Sequence, residues 1–143
     1  MSATVRQMLA GRGAVISVPP TATVFEALQR MAEHNVGAVI VMHGDRLVGI
    51  FSERDYARKV ALRGLTSKTA QVGELMTGKV VTVDAAWTAE QCMALMTEQH
   101  IRHLPVVEGG RVVGVVSIGD VVKSVVDEQH FMIGQLVHYI TQA

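Results

Sequence analysis

The chain has 143 residues, 49% of them hydrophobic and 18% charged, and this share of apolar side chains excludes an intrinsically disordered chain. Its 13 basic and 13 acidic residues cancel to zero net charge, which argues against a basic nucleic-acid-binding protein, while its single cysteine, Cys92, excludes a disulfide-rich scaffold. Since no apolar run reaches the roughly 18 residues of a membrane-spanning helix, we expect a cytoplasmic protein with neither nucleic acid nor membrane as partner.

An internal repeat runs through the sequence without a gap. Residues 15–56 align on residues 80–121 at a constant offset of 65, with 12 identities in 42 positions. Turn, cap and polar positions agree together with the apolar ones. This agreement favours a duplicated unit over two units that merely share a hydrophobic pattern.

Each copy of the repeat predicts a β-α-β-β-α unit. A short β-branched strand comes first, and a capping box then starts a helix, Thr-x-x-Glu at Thr23 and Thr-x-x-Gln at Thr88. Two apolar strands joined by a glycine-containing turn follow, which is the pattern of a β-hairpin. The predicted strands cover residues 15–18, 38–42 and 47–51 in the first copy and residues 80–83, 104–107 and 112–116 in the second.

One copy of roughly 60 residues buries only a modest fraction of its surface, and its strands are apolar on both faces, so its sheet needs cover on both sides. We therefore expect an α/β (α+β) fold in which two pseudo-symmetric repeats pack through their sheets and leave two related clefts. The predicted boundaries are residues 1–66 for repeat 1 with the N-terminal segment, 67–79 for a connector, 80–127 for repeat 2 and 128–143 for a C-terminal helix.

The motif Gly-x-x-Ser-x-x-Asp ends both copies, at Gly49, Ser52 and Asp55 and again 65 residues later at Gly114, Ser117 and Asp120. A strand glycine allows close approach of a ligand or another backbone. A helix N-terminus suits phosphate, and an aspartate can accept hydrogen bonds from both hydroxyls of a ribose. The same residues also fit simple helix capping, with serine at the N-cap and aspartate at the third helical position. The motif alone leaves both interpretations open.

Other chemistry finds little support in the sequence. The serine of residues 114–119 is displaced by one position from a nucleophile elbow, and no Walker-type glycine loop is present, so we expect no catalytic residues and no enzyme. His100 and His103 are the only clustered candidate metal ligands in the sequence, and no carboxylate or cysteine stands at a suitable spacing to join them, so a metal site is not favoured. Cys92 lies on an apolar helical face, which predicts a buried, inert thiol.

The doubled unit, the strand starts at residues 35–41 and 100–107, and the two Gly-x-x-Ser-x-x-Asp motifs together resemble a tandem pair of CBS domains, a Bateman module, over about residues 5–126. The resemblance implies a regulatory, signal-transduction role. It implies that an adenosyl ligand such as AMP, ADP, ATP or NAD binds in clefts between the repeats, without a catalytic cofactor or metal. It also implies a homodimer. Ligand binding would shift a conformational or association equilibrium, to which an unidentified effector protein responds.

The resemblance also implies two groups of site residues. The first joins Ser117 and Asp120 to Ser17, Val36, Gly37 and Ala38. The second joins Ser52, Arg54 and Asp55 to Thr82, Arg102, His103 and Leu104. Gly119 stands where the first copy has Arg54, and Arg102 and His103 stand where it has Gly37 and Ala38. The second group is therefore the more cationic, although Glu53 opposes this, and we expect unequal affinities or two different ligands. The alternatives are a structural dimerisation module with empty clefts and, less favoured, an enzyme acting on nucleotides.

Overall fold

The computed structural model describes residues 3–142 and confirms a mixed α/β fold with two repeats. Residues 1, 2 and 143 of the predicted boundaries lie outside this part. The elements are α1 (Val5–Leu9), β1 (Ser17–Val18), α2 (Val24–His34), β2 (Ala38–His43), β3 (Arg46–Ser52), α3 (Glu53–Asp55, continued as a π-helix over Tyr56–Ala61), α4 (Val72–Leu75), α5 (Ala89–Gln99), β4 (His103–Glu108), β5 (Arg111–Ser117) and α6 (Ile118–Thr141).

The first compact unit, here called the repeat-1 unit, spans Ala14–Val81. Its sheet has the order β1-β2-β3, with β1 parallel and β3 antiparallel to β2, and the hairpin turns at Gly44, whose φ of 61° favours glycine. Helix α2 places its apolar side chains against the sheet because they recur at helical spacing. The resulting core contains Val18, Val24, Ala27, Met31, Val39, Val41, Phe51, Val60 and Val72.

The second compact unit, the repeat-2 unit, combines residues 82–142 with residues 3–13. Strands β4 and β5 form the equivalent hairpin, and Cys92 is buried on α5 as predicted, where burial raises the pKa of its thiol. The predicted strand at residues 80–83 shrinks to one bridge, between Val83 and Val106. In the repeat-1 unit the Ile40 N–H donates to the Ile16 carbonyl at 3.2 Å. Pro105 stands at that place in repeat 2 and has no N–H to donate.

Helix ends follow the predicted signals closely. The capping boxes at Thr23 and Thr88 are both formed, with each threonine hydroxyl accepting from the backbone N–H three residues on. Helices α2 and α5 then end at Asn35 and His100 in the left-handed conformation, with φ of 52° and 55°. Left-handed backbone at this position is a common way to end a helix.

The segments outside the repeated cores are placed differently from the predicted boundaries. Residues 3–13 belong to the unit of repeat 2 rather than repeat 1, since the N–H of Val5 donates to the Trp87 carbonyl at 2.8 Å. The connector at 67–79 belongs to the repeat-1 unit and contains α4, whose Val72 is fully buried. Helix α6 is continuous, so the predicted C-terminal helix at 128–143 extends the last helix of repeat 2 rather than forming a separate element.

Each unit is therefore completed by the short helix that precedes the other repeat in the chain. Helix α1 packs against β5, and α4 packs against β3. The two helices share a pattern that the repeat search missed, Val-x-x-Met-Leu at Val5–Leu9 and Val-x-x-Leu-Met from Val72 to Met76.

The glycine of each motif lies beneath these short helices rather than beside an open space. A Cβ at Gly49 would collide with the Met76 sulfur and lie 3.0 Å from the Thr77 carbonyl oxygen, whereas a Cβ at Gly114 would meet only the Leu9 side-chain tip at 2.7 Å. The close approach that the glycine permits is thus made by the protein itself.

We expect Gly49→Ala to lower the free energy of unfolding by about 1–3 kcal/mol, because backbone and a packed methionine must both shift. Gly114→Ala should cost less, since a leucine tip can rotate away. Urea denaturation measures both, with Gly78→Ala as control because open space surrounds that position. Equal losses at Gly49 and Gly114 would contradict this packing argument.

Candidate functional site

The two Ser-x-x-Asp segments form capping boxes at the starts of α3 and α6. In the first, the Ser52 N–H donates to Asp55 Oδ2 at 2.9 Å and the Asp55 N–H donates to Ser52 Oγ at 3.2 Å. In the second, the Ser117 N–H donates to Asp120 Oδ2 at 2.8 Å and the Asp120 N–H donates to Ser117 Oγ at 3.2 Å. The capping interpretation is confirmed at both positions, and it uses one oxygen of each carboxylate.

Asp55 has partners close to it in its own unit. Its Oδ1 accepts from the Thr77 hydroxyl at 3.1 Å and pairs with Lys59 Nζ at 3.1 Å, one helical turn along α3. The Ser52 hydroxyl lies 3.1 Å from Oδ2. Asp55 is buried, so these contacts supply the hydrogen bonds that a buried carboxylate needs.

Asp120 has a different partner, Arg12, which lies 108 positions earlier in the chain. Arg12 Nη1 donates to Asp120 Oδ2 at 3.1 Å, and Nη2 donates to Oδ1, so the guanidinium spans both oxygens. Nη1 also lies 3.4 Å from the Val115 carbonyl oxygen. Burial alone raises the pKa of Asp120, but hydrogen bonds from Arg12 and Ser117 outweigh it and hold the pKa below its usual value.

The strand starts lie beside the capping boxes of their own unit. Ala38 pairs with Ser52 across the first hairpin, and the Glu53 N–H donates to the Gly37 carbonyl at 3.0 Å. In the second hairpin His103 pairs with Ser117. The N–H of the next residue, Ile118, donates to the carbonyl of Arg102 at 2.8 Å.

The predicted site residues divide between the two units. Val36, Arg54, Thr82 and Arg102 are exposed, whereas Ala38 and Leu104 are buried. Each predicted group therefore draws on residues of both units. The repeat-1 unit holds Ser17, Val36, Gly37, Ala38, Ser52, Arg54 and Asp55, and the repeat-2 unit holds Thr82, Arg102, His103, Leu104, Ser117 and Asp120.

A groove of about 330 Å³ opens beside Asp120 inside the repeat-2 unit. Two ion pairs border it, Arg12 with Asp120 and, along α6, Lys123 with Asp127 at 2.9 Å. The lining of the groove also includes Ala3, Gln7, Met8 and Ser124.

Arg12 was not predicted as a site residue because it lies in a glycine-flanked loop far from the motif in sequence.

Among residues 3–142, no three His, Cys, Asp or Glu side chains come together in a group that could hold a metal ion. Within the same part of the chain, every helix is too short or too polar to cross a membrane.

Comparison with known proteins places this geometry in a family. The sequence model of the CBS domain matches residues 11–62 and 72–127. The curated CBS domain-containing protein CBSX3, mitochondrial, of Arabidopsis thaliana is 43% identical over 123 residues, which cover 82% of this chain and 60% of the plant protein. The chain thus spans less than two-thirds of the length of that relative.

Solved structures agree with this match. A putative signal-transduction protein with CBS domains from Burkholderia ambifaria is 45% identical with a TM-score of 0.84, over 89% of this chain and 96% of that one. A CBS domain protein from Pyrobaculum aerophilum, complexed with AMP, is 30% identical with a TM-score of 0.73, over 82% and 89%. Hypoxic Response Protein I, with two coordinated zinc ions, is 32% identical with a TM-score of 0.69, over 85% and 98%.

Two tandem family matches that cover most of the sequence, and structural likeness over nearly the whole length of solved relatives, show that this chain belongs to the CBS-domain family as a tandem pair of CBS domains.

Proposed function

We propose that this chain is a regulatory protein that binds an adenine nucleotide and is not an enzyme. The observation that carries the proposal is the duplicated aspartate, Asp55 and Asp120, held at a helix start with one oxygen fixed by its capping box. The AMP complex of the Pyrobaculum relative and the signal-transduction description of the Burkholderia relative support it. Binding would shift a conformational or association equilibrium that an effector protein reads.

The roles within the two groups of site residues follow from their chemistry. A carboxylate is an acceptor only, so Asp55 and Asp120 suit the two hydroxyls of a ribose. Because the side chains of Ala38 and Leu104 are buried, these residues would contribute backbone groups, and such groups suit the edge of an adenine. Ser17 and Thr82 come from the first strand segments and offer hydroxyl groups.

Charge distinguishes the two groups. Arg54, Arg102 and His103 accompany Asp55 in the second group, whereas Gly119, Gly37 and Ala38 stand at the corresponding places of the first. Guanidinium groups bind phosphate through charge-assisted hydrogen bonds. Arg12 also lies at the group of Asp120, but its guanidinium is paired with that carboxylate. We therefore assign the more phosphorylated ligand, such as ATP, to the group of Asp55 and a less charged one to the group of Asp120.

A ligand-free structural module is the second candidate, because both carboxylates already have protein partners. A thermal-shift panel of AMP, ADP, ATP and NAD separates the two candidates. A ligand at 100 times its dissociation constant stabilises the folded state by about 2.7 kcal/mol. No shift with any of them would favour the structural module.

We expect Asp55→Asn and Asp120→Asn each to weaken nucleotide binding at one site by about 1.5–3 kcal/mol, because each removes a charged acceptor from the ribose hydroxyls. Asp55→Asn should also lower the free energy of unfolding, since it removes the charge that pairs with the partly buried Lys59. Calorimetry below the melting temperature of each variant measures the affinity.

The matched control for these variants is Asp45→Asn, an exposed aspartate in the turn between β2 and β3, outside the motif and the groove. It should leave nucleotide affinity unchanged. If both motif variants bind nucleotide as tightly as the natural chain, Asp55 and Asp120 are caps alone and the proposal fails in this form.

The end of α6 indicates self-association. Seven large apolar side chains between Phe131 and Ile140 are 54–79% exposed, and residues 129–142 contain no Lys, Arg, Asp or Glu. A second copy of this helix would therefore meet it without charge repulsion. At roughly 100 Å² each, seven exposed side chains approach the ~800 Å² per partner of a stable interface. We propose a homodimer formed through this helix.

Analytical ultracentrifugation at several concentrations tests the dimer. We expect the natural chain to be a dimer and the variants Leu136→Glu and Ile140→Glu to be monomers, because each substitution would bury a charge in an apolar interface. His138→Glu adds the same charge about 200° around the helix from Leu136, beside Phe131 at the edge of the apolar surface, and should weaken the dimer much less. A natural chain that stays monomeric at all concentrations would rule the interface out.

A further inference from the structure

The two motif aspartates occupy equivalent positions but differ in what holds them. Asp55 is held by Lys59 on its own helix and by the Thr77 hydroxyl, each through a single donor. Asp120 is held by both terminal nitrogens of Arg12, a residue from the loop between α1 and β1. The guanidinium is a rigid fork with two parallel donors, whereas an ammonium or a hydroxyl can turn to another acceptor.

The fork of Arg12 and a ribose diol need the same two atoms. A cis-diol presents two adjacent O–H donors to a carboxylate, as the guanidinium presents two N–H donors. Oδ2 of Asp120 already accepts from the Ser117 N–H as well as from Arg12 Nη1, and Oδ1 accepts from Arg12 Nη2. Of the roughly four acceptor positions of a carboxylate three are thus occupied, so a diol that needs two cannot bind while the guanidinium spans both oxygens.

The loop that carries Arg12 can move at little cost. Residues 10–14 are all exposed, and Gly11 and Gly13 have open space around them. Helix α1 just before the loop is anchored independently, since Val5 is fully buried and the side chain of Leu9 lies against Gly114. Release of the Arg12 side chain leaves the core of the repeat-2 unit and the hydrogen bond from the Arg12 N–H to the Leu9 carbonyl, at 3.1 Å, in place, and frees the rest of the loop.

We propose that Arg12 is an internal competitor for Asp120: a ribose diol binds this carboxylate only when Arg12 leaves it, so that occupation of the site releases the loop at residues 10–14. The inference rests on the proposed function. Arg12 would set both the affinity of the Asp120 site and the structural response to its occupation. Asp55 differs because its partners, Lys59 and the Thr77 hydroxyl, are single donors that can turn to another acceptor.

Calorimetry with adenosine tests the competition, because adenosine offers the diol without a phosphate that Arg12 could bind after release. We expect Arg12→Ala to bind adenosine about tenfold more tightly at one site, the scale of a hydrogen bond to a charged group. Arg12→Lys keeps the charge without the fork and should give a smaller gain. 2′,3′-Dideoxyadenosine lacks the diol and should gain nothing from either variant.

The matched control is Arg6→Ala. Arg6 lies on the same N-terminal segment, but its side chain pairs with Glu108 at 2.7 Å instead of with Asp120. It should leave adenosine affinity unchanged, and an equal gain in Arg6→Ala would mean that loosening of the segment, not competition, is responsible. Unchanged or weaker adenosine binding in Arg12→Ala overturns the inference. If neither the natural chain nor Arg12→Ala binds any adenine nucleoside or nucleotide, the proposed function fails with it.

Two readouts follow the release itself. Adenosine should speed tryptic cleavage after Arg12 in the natural chain, since trypsin must bind the arginine that Asp120 otherwise holds. Unchanged or slower cleavage at saturating adenosine contradicts release.

Carboxyl NMR should show that the pKa of Asp120 rises in Arg12→Ala, because a partner that lowers this pKa is lost. Because the folded state lowers the pKa of Asp120, this carboxyl stabilises the fold above its unfolded-state pKa, and the stabilisation is lost as the pH falls through the folded-state pKa. In Arg12→Ala the folded-state pKa is higher, so the stabilisation should be lost at a higher pH than in the natural chain. A carboxyl that titrates identically in both proteins contradicts the pairing.

Discussion

The cover that a short helix provides over the motif glycine decides the surroundings of both candidate carboxylates. Because Gly49 and Gly114 lack a Cβ, the side chains of Met76 and Leu9 lie directly on β3 and β5. After α4 the chain pairs with β3, where Thr77 and Ile50 exchange backbone hydrogen bonds, and after α1 the Arg12 side chain reaches the Val115 carbonyl of β5. Thr77 and Arg12 reach Asp55 and Asp120 by this route.

The same packing links the two repeats through the order of the chain. The segment before repeat 1 completes the unit of repeat 2, and the segment before repeat 2 completes the unit of repeat 1. A repeat cut out by its sequence boundaries would lose a fully buried valine, Val5 or Val72, and expose the strand beneath it. Such a loss is of the kind that destabilises a small core by several kcal/mol, about the effect of deleting a buried side chain.

Local signals in the sequence predicted the parts of the fold that depend on neighbouring residues. The hairpins, the threonine caps and the two Ser-x-x-Asp boxes depend on residues within a few positions of one another, and the structure has all of them. Helices α1 and α4 have only five and four residues, which is too short to show a hydrophobic period. The N-cap residue of α4, Gln71, makes no side-chain capping hydrogen bond. Arg12 could not be found by such reasoning, since nothing near it in sequence records a partner 108 positions away.

The duplicated capping boxes constrain how the two sites can differ. Serine and aspartate have the same structural role in both copies, because the hydroxyl and the carboxylate satisfy N–H groups that the first helical turn would otherwise leave unpaired. The copies differ in the groups around the box: Pro105 against Ile40 in the strand, Gly119 against Arg54 in the helix, and Arg12 against Lys59 and Thr77 at the carboxylate. Two aspartates with the same backbone geometry thus have different chemistry, and the duplication provides one carboxylate held locally and one held by a movable arginine.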